Sequence, residues 1–226
     1  MSEIKNALLL VGSPKGSQST SDSLGGYLLK KLEEHGMITN KAYIHTSIKT
    51  DRDRTKFLKA VEDSDLLILS FPLYVDNLPS PVIASLEMIA EHRLTLKEAR
   101  GQKLIAISNN GFPEARQNDT AIEICRRFAL EIGIEWVGGL ALGGGGTIAG
   151  RSLEAAGGMA RNIMNALDLS AIALVEGKSI PAEAFNLFAK PLVPSWMFVW
   201  FGGQAWKRVA KQNGVQNRLY DRPYEK

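Results

Sequence analysis

The chain has 226 residues, of which 45% are hydrophobic and 23% charged, enough for a substantial core in one large domain or one domain with an extension. A net charge of +3 without any block of like charge excludes a nucleic-acid-binding arm. The single cysteine, Cys125, excludes an internal disulfide and a cysteine-ligated iron–sulfur cluster, and His35, His45 and His92 are scattered without metal-ligand spacing. The N-terminus enters a strand-like run without signal-peptide features, and no apolar run has bilayer length, so a cytoplasmic protein is expected.

From that point strand-like and helix-like segments alternate. Ala7–Val11 is a continuous apolar run, as in a strand covered on both faces. Ser19–His35 follows as a helix, with Leu24, Leu28 and Leu32 one turn apart. A weaker strand is predicted near Lys41–Ile44 and a helix over Arg52–Ser64. Leu66–Phe71 is the second strong buried strand, and Pro81–His92 a helix with Val82, Leu86, Ile89 and Ala90 on one face. Lys103–Ser108 is the next strand. Thr120–Ile132 is a helix with Ala121, Ile122, Cys125, Phe128, Ala129 and Ile132 inward, which makes Cys125 a core residue rather than a nucleophile. Trp136–Leu142 and Ser152–Leu167 supply the last strand and the last core helix. Five strands alternating with five helices imply an open parallel α/β sheet with helices on both faces. Such a sheet binds its ligand beyond the carboxyl ends of its strands, at the topological switch point.

The loops after strands one, three and four are the unusual ones. Gly12–Ser21 holds four serines, a threonine, two glycines and Lys15, and ends where a helix begins. Unpaired N–H groups and partial positive charge at a helix start, with hydroxyls and permissive glycines, suit a phosphate; a solvated turn with a serine cap is the competing reading. Gly12 and Gly16 do not form the dinucleotide fingerprint, no Gly-Lys-Ser/Thr sequence closes the loop, and no Gly-x-Ser-x-Gly elbow follows a strand. After the third strand, Pro72-Leu73-Tyr74-Val75-Asp76-Asn77 offers an aromatic ring and loop amides to a flat ring system, with Pro72 and Pro79 stiffening the backbone. After the fourth, Asn109-Asn110-Gly111-Phe112 favours a tight turn with positive φ, whose amides suit polar ring edges or hydroxyls. Gly143–Gly146 is read as a loop near the site.

In combination these loops resemble the flavodoxin-like NAD(P)H-dependent FMN reductases and related flavin oxidoreductases, which show a Gly-Ser-Pro-Arg/Lys loop, a Pro-x-Tyr loop and an Asn-x-Gly-Phe-Pro-Glu segment. Here those stand as Gly12–Ser21, Pro72–Asn77 and Asn109–Glu114, and the resemblance covers roughly residues 5–168. It implies an α/β, flavodoxin-like five-stranded parallel sheet of order 2-1-3-4-5 and a non-covalent FMN. The phosphate would lie on Ser13, Lys15, Ser19, Thr20 and Ser21, and the ring between Pro72–Asn77 and Asn109–Phe112. NAD(P)H would be the co-substrate and a quinone, nitro or azo compound, metal ion or free flavin the acceptor, with no side chain assigned as acid or base. An FMN electron carrier without NAD(P)H activity, or a cofactor-less scaffold, is the alternative; the slightly basic charge favours the reductase.

The flavin-binding domain is expected over residues 1–170 and a C-terminal extension over residues 171–226. Phe185, Phe188, Trp196, Phe198, Trp200, Phe201 and Trp206 crowd into the extension, followed by Lys207, Arg208, Lys211, Arg218 and Arg222. So many aromatics predict burial against protein, most simply in a homodimer or higher homo-oligomer, with contact to a membrane surface as the second reading.

Overall fold

The computed structural model describes residues 5–96, 100–222 and 224–225. Five parallel strands, β1 (Asn6–Val11), β2 (Ile38–Tyr43), β3 (Leu66–Pro72), β4 (Lys103–Asn109) and β5 (Glu135–Leu142), form one sheet in the order β2-β1-β3-β4-β5. The helices are α1 (Thr20–Glu34), α2 (Ile44–Ser47), α3 (Asp51–Glu62), α4 (Ser80–Thr95), α5 (Asp119–Glu131), α6 (Arg161–Val175), α7 (Ala182–Phe188) and α8 (Ser195–Gln212). The chain divides into two compact units, Met1–Leu192 and Val193–Lys226.

The apolar runs of the central strands are explained by burial on both faces. Successive side chains of a strand point to opposite sides. Ala7, Leu9 and Val11 therefore join Leu66 and Ile68 under α1, α6 and α7, while Leu8 and Leu10 join Leu67, Leu69 and Phe71 under α3, α4 and α5. Cys125 is fully buried among the second group. Burial pushes its thiol up to about 12, so it stays protonated and is no nucleophile.

Local signals start and stop these elements. The Ser19 hydroxyl caps α1 by accepting the Asp22 N–H at 3.1 Å, and Thr50 caps α3 by accepting the Asp53 N–H at 3.2 Å. At the end of the sheet where the strands begin, Arg93 of α4 donates to the carbonyls of Ile132, Arg100 and Gly133 and to the Gln102 side chain. The buried Gln102 amide donates in turn to the carbonyls of Val61 and Ser64 at 2.6 and 2.8 Å. A cation and an amide thus satisfy carbonyls at the ends of α3 and α5.

The structure differs from the sequence reading in particular elements. The weak second strand runs over Ile38–Tyr43 rather than Lys41–Ile44: Gly36, at φ 86°, ends the α1 turn, and Ile38 N–H pairs with the Lys5 carbonyl at once. As an edge strand its residues are mostly exposed and polar, which hides it in a search for buried runs. The helix expected over Ser152–Leu167 runs over Arg161–Val175, its start set where Gly157 at φ 60° and Gly158 hold residues 157–160 in a one-turn 3-10 helix. The first compact unit extends to Leu192. Ala171, Leu174, Ile180, Ala184 and Phe188 all belong to the core beside β1 and β5.

That last contact depends on a glycine. β5 carries an irregularity opposite Leu104 and Ile105, and Gly138 there has φ 146°. A Cβ on Gly138 would stand 2.8 Å from Ile180 Cγ1 and 3.1 Å from the Phe185 ring. Gly138→Val is expected to lower unfolding stability by about 2–4 kcal/mol through strain and overpacking, measured as a lower urea midpoint at unchanged slope. Cys125 provides a second check: it should resist iodoacetamide in the folded protein at mildly alkaline pH and react fully in denaturant. Rapid native alkylation would contradict its burial.

Candidate functional site

The carboxyl ends of β1, β3, β4 and β5 meet at one edge of the sheet. There the chain leaves a cleft of about 320 Å³, lined by residues from four loops. The first loop contributes Ser13, Lys15, Gln18, Ser19, Thr20 and Ser21; the second Pro72, Leu73 and Tyr74; the third Asn109, Asn110 and Gly111; the fourth Gly146, Ala149 and Gly150.

A network of buried polar groups positions these loops. The Asn109 amide donates to Ser21 Oγ at 2.9 Å and to the Phe71 carbonyl at 3.1 Å, while its own backbone carbonyl accepts the Leu73 N–H at 2.8 Å. Ser70 Oγ donates to the Ser21 carbonyl, and Thr20 Oγ1 to the Gly145 carbonyl at 2.8 Å. The Asn110 N–H donates to the Leu142 carbonyl, and its own carbonyl accepts the Gly145 N–H. Behind them Ser108 donates to Asn118, whose amide reaches the carbonyls of Ala115 and Leu142. Two glycines allow the fourth loop to come this close. A Cβ on Gly145 would meet Asn109 Oδ1 at 2.8 Å, and one on Gly150, at φ 74°, would meet the Gln18 carbonyl at 2.3 Å.

The hydroxyls of the first loop are not equivalent. Ser19 spends its proton on the Gly16 carbonyl and Thr20 on that of Gly145. Ser13 and Ser21, both buried, accept bonds from Lys15 N–H and the Asn109 amide and donate to no other described group. Their protons remain for a ligand, together with the N–H groups of Thr20 and Ser21 in the first turn of α1, which have no intrahelical acceptor. Among the described residues, Lys15 is the one charged residue lining the cleft, and no carboxylate does. A helix N-terminus, a lysine, free hydroxyl protons and amides together favour an anionic ligand.

The second loop folds back as a two-residue hairpin. Tyr74 and Asn77 exchange backbone hydrogen bonds at 2.9 and 3.1 Å across Val75 and Asp76, whose φ angles are 49° and 58°. Both central residues are left-handed, a turn that Asn-Gly normally takes. Val75 there is β-branched and 97% exposed, so it holds strain and gives no packing in return.

Of the residues expected at a ligand, Ser13, Lys15, Ser19, Thr20, Ser21, Pro72, Leu73, Tyr74, Asn109, Asn110 and Gly111 line the cleft; Val75, Asp76, Asn77 and Phe112 do not. Phe112 is 58% exposed and points its N–H at Asn110 Oδ1. The turn expected to have positive φ at Asn109–Gly111 has none: Asn109 is the last residue of β4, and the Asn110 side chain closes the turn instead. Gln18, Ala149 and Gly150 line the cleft without a signal in the sequence analysis. The glycine run at residues 143–146 pointed toward Gly146, but nothing in the sequence marks Ala149, whose φ is 51°. Among the described residues no group of three or more His, Cys, Asp or Glu side chains could hold a metal ion.

With the geometry in hand, comparison with known proteins defines the class of fold. No family model and no curated protein matches the sequence. Among solved structures, an NADH:FMN oxidoreductase in its apo form superposes with a TM-score of 0.60 at 13% identity, covering 84% of this chain and 96% of that one. An NAD(P)H:quinone oxidoreductase from Methanothermobacter marburgensis gives 0.57 at 12% identity, covering 76% and 96%. An FMN-dependent NADH-azoreductase from Bacillus anthracis, in complex with FMN, gives 0.56 at 13% identity, covering 76% and 100%. The chain has the flavodoxin-like fold.

Relief of the hairpin strain is directly measurable. Val75→Gly should raise unfolding stability by about 1 kcal/mol, since glycine takes the left-handed angle without steric cost but loses more entropy on folding. An unchanged or lower denaturation midpoint would show that Val75 is not strained.

Proposed function

We propose that the cleft binds FMN and that the protein is an NAD(P)H-dependent flavin oxidoreductase acting on a small-molecule acceptor. The observation that carries this reading is the donor set at the carboxyl edge of a flavodoxin-like sheet. The first turn of α1, Ser13, Ser21 and Lys15 offer protons and positive charge at one end of the cleft, and apolar and amide groups of the other loops line the rest. The fold neighbours include proteins described as FMN-dependent or NAD(P)H-dependent oxidoreductases, which supports the general kind of activity and not a particular acceptor.

The residues present fit such a group. Ser13, Lys15 and Ser21, with the N–H groups of Thr20 and Ser21, would hold the phosphate; the Ser19 and Thr20 hydroxyls would act one step removed, by fixing the loop. Pro72, Leu73 and Tyr74 on one side and Asn109, Asn110 and Gly111 on the other would hold the ring and ribityl chain, joined by Gly146. The chemistry that bound FMN would supply is electron transfer from a nicotinamide to the acceptor. The protein's part is position: the Asn109 network fixes the loops, and the packed floor of β-strand ends keeps water from beneath the site. A Cβ on Gly111 or Gly146 would meet nothing within 4 Å, so the backbone there is open to the cleft.

The purified protein should be yellow, or become so with added FMN, and NADH or NADPH should bleach it rapidly under anaerobic conditions. A colourless protein that ignores FMN overturns the cofactor; stable yellow colour in excess of both nucleotides leaves an electron carrier. Within the site, Ser13→Ala with Ser21→Ala should weaken FMN binding at least tenfold, since a hydrogen bond to a charged group is worth about 1.5–3 kcal/mol. An unchanged dissociation constant would remove both serines from the phosphate site.

A further inference from the structure

The second unit, residues 193–226, is built around α8, and this helix changes character along its length. Trp196–Phe201 is six consecutive apolar residues. Successive residues of a helix are about 100° apart, so six in a row encircle the axis and leave no polar face. Trp196 is 72% exposed and Trp206 likewise, with Val199, Trp200 and Phe201 all more than half exposed. Beyond Gly202 and Gly203 the helix becomes two-sided: Trp206, Val209 and Ala210 share one face, and Lys207, Arg208 and Lys211 the other. The described part of α8 carries no acidic residue at all, and those three cations form no ion pair among the described residues.

We propose that α8 is an interfacial helix that docks the protein on an anionic bilayer surface. The apolar half enters the acyl boundary, and Lys207, Arg208 and Lys211 lie at the lipid phosphates. Two arguments favour lipid over a second copy of the chain. A helix seated on a protein buries a stripe and keeps its opposite face in water, whereas residues 196–201 are apolar at every azimuth and suit a medium that surrounds them. The charge also separates from the aromatics along the axis and has one sign, as an anionic headgroup layer requires. The apolar half is too short to cross. Nine residues, Ser195–Gly203, rise about 13 Å against a hydrocarbon thickness of about 30 Å, and no described helix is long and apolar enough to span a membrane.

The test uses the full chain with extruded vesicles of phosphatidylcholine, with and without phosphatidylserine. Expected are co-sedimentation with the serine-containing vesicles, a blue shift of tryptophan emission, quenching by brominated acyl chains, and release as salt rises. Reversing the basic face (K207E, R208E and K211E together) should lower partitioning by at least about tenfold. Replacing Trp196, Trp200 and Phe201 by serine should abolish co-sedimentation with the serine-containing vesicles at unchanged far-UV dichroism. The proposal is overturned if the chain stays in the supernatant with both vesicle types, or if the charge-reversed variant binds as well as the parent. It is equally overturned if the chain sediments as a dimer that the serine variant dissociates while neither form touches lipid.

Discussion

The side-chain amide of Asn109 joins three segments that the sequence places far apart. One N–H₂ group satisfies Ser21 at the start of α1 and the Phe71 carbonyl at the end of β3, from a position at the end of β4. The same residue accepts the Leu73 N–H through its carbonyl and packs its Oδ1 against Gly145. All these groups are withdrawn from water, so each unmade bond would leave a buried polar atom at a cost of about 1–3 kcal/mol. The four loops are therefore not independent: the geometry of the cleft follows from satisfying one buried amide and its neighbours Ser70, Ser108 and Asn118.

The same constraint explains why some hydroxyls lining the cleft give their protons to the protein's own carbonyls. Ser19 and Thr20 donate to the carbonyls of Gly16 and Gly145 and so fix the loop. Ser13 and Ser21 retain their protons because the bonds they make are accepted ones. A hydroxyl has a single proton, and which neighbour takes it is decided by the fold. The left-handed Val75 and Asp76 stand outside this network, at the tip of a hairpin whose ends, Tyr74 and Asn77, are held to each other.

The opposite end of the sheet is organised by different means. Arg93 and Gln102 satisfy carbonyls at the ends of helices there, and burial lowers the affinity of the Arg93 guanidinium for its proton without removing its charge. A flavodoxin-like sheet thus has one end sealed by its own side chains and one end left with unspent donors. The contrast supports a ligand at the second end, as the connectivity of the open α/β sheet leads one to expect.

The sequence by itself determined the central strands, most helices and three of the four site loops, because each has a local cause: continuous apolar runs for two-sided burial, 3.6-residue periodicity for one-sided burial, and clustered Gly, Ser, Pro and Asn where chains turn. It missed where local cause was absent. The edge strand Ile38–Tyr43 is held by backbone bonds to β1 and needs no apolar pattern. The start of α6 was set by Gly157, and the packing of α7 by Ile180 and Phe185 reaching a glycine on β5. Ala149 and Gly150 came to the cleft only because the fourth loop packs on Gln18. Which serine keeps its proton was likewise a tertiary outcome, since the partners of Ser21 and Thr20 lie 88 and 125 residues away along the chain and meet them only once the sheet has formed.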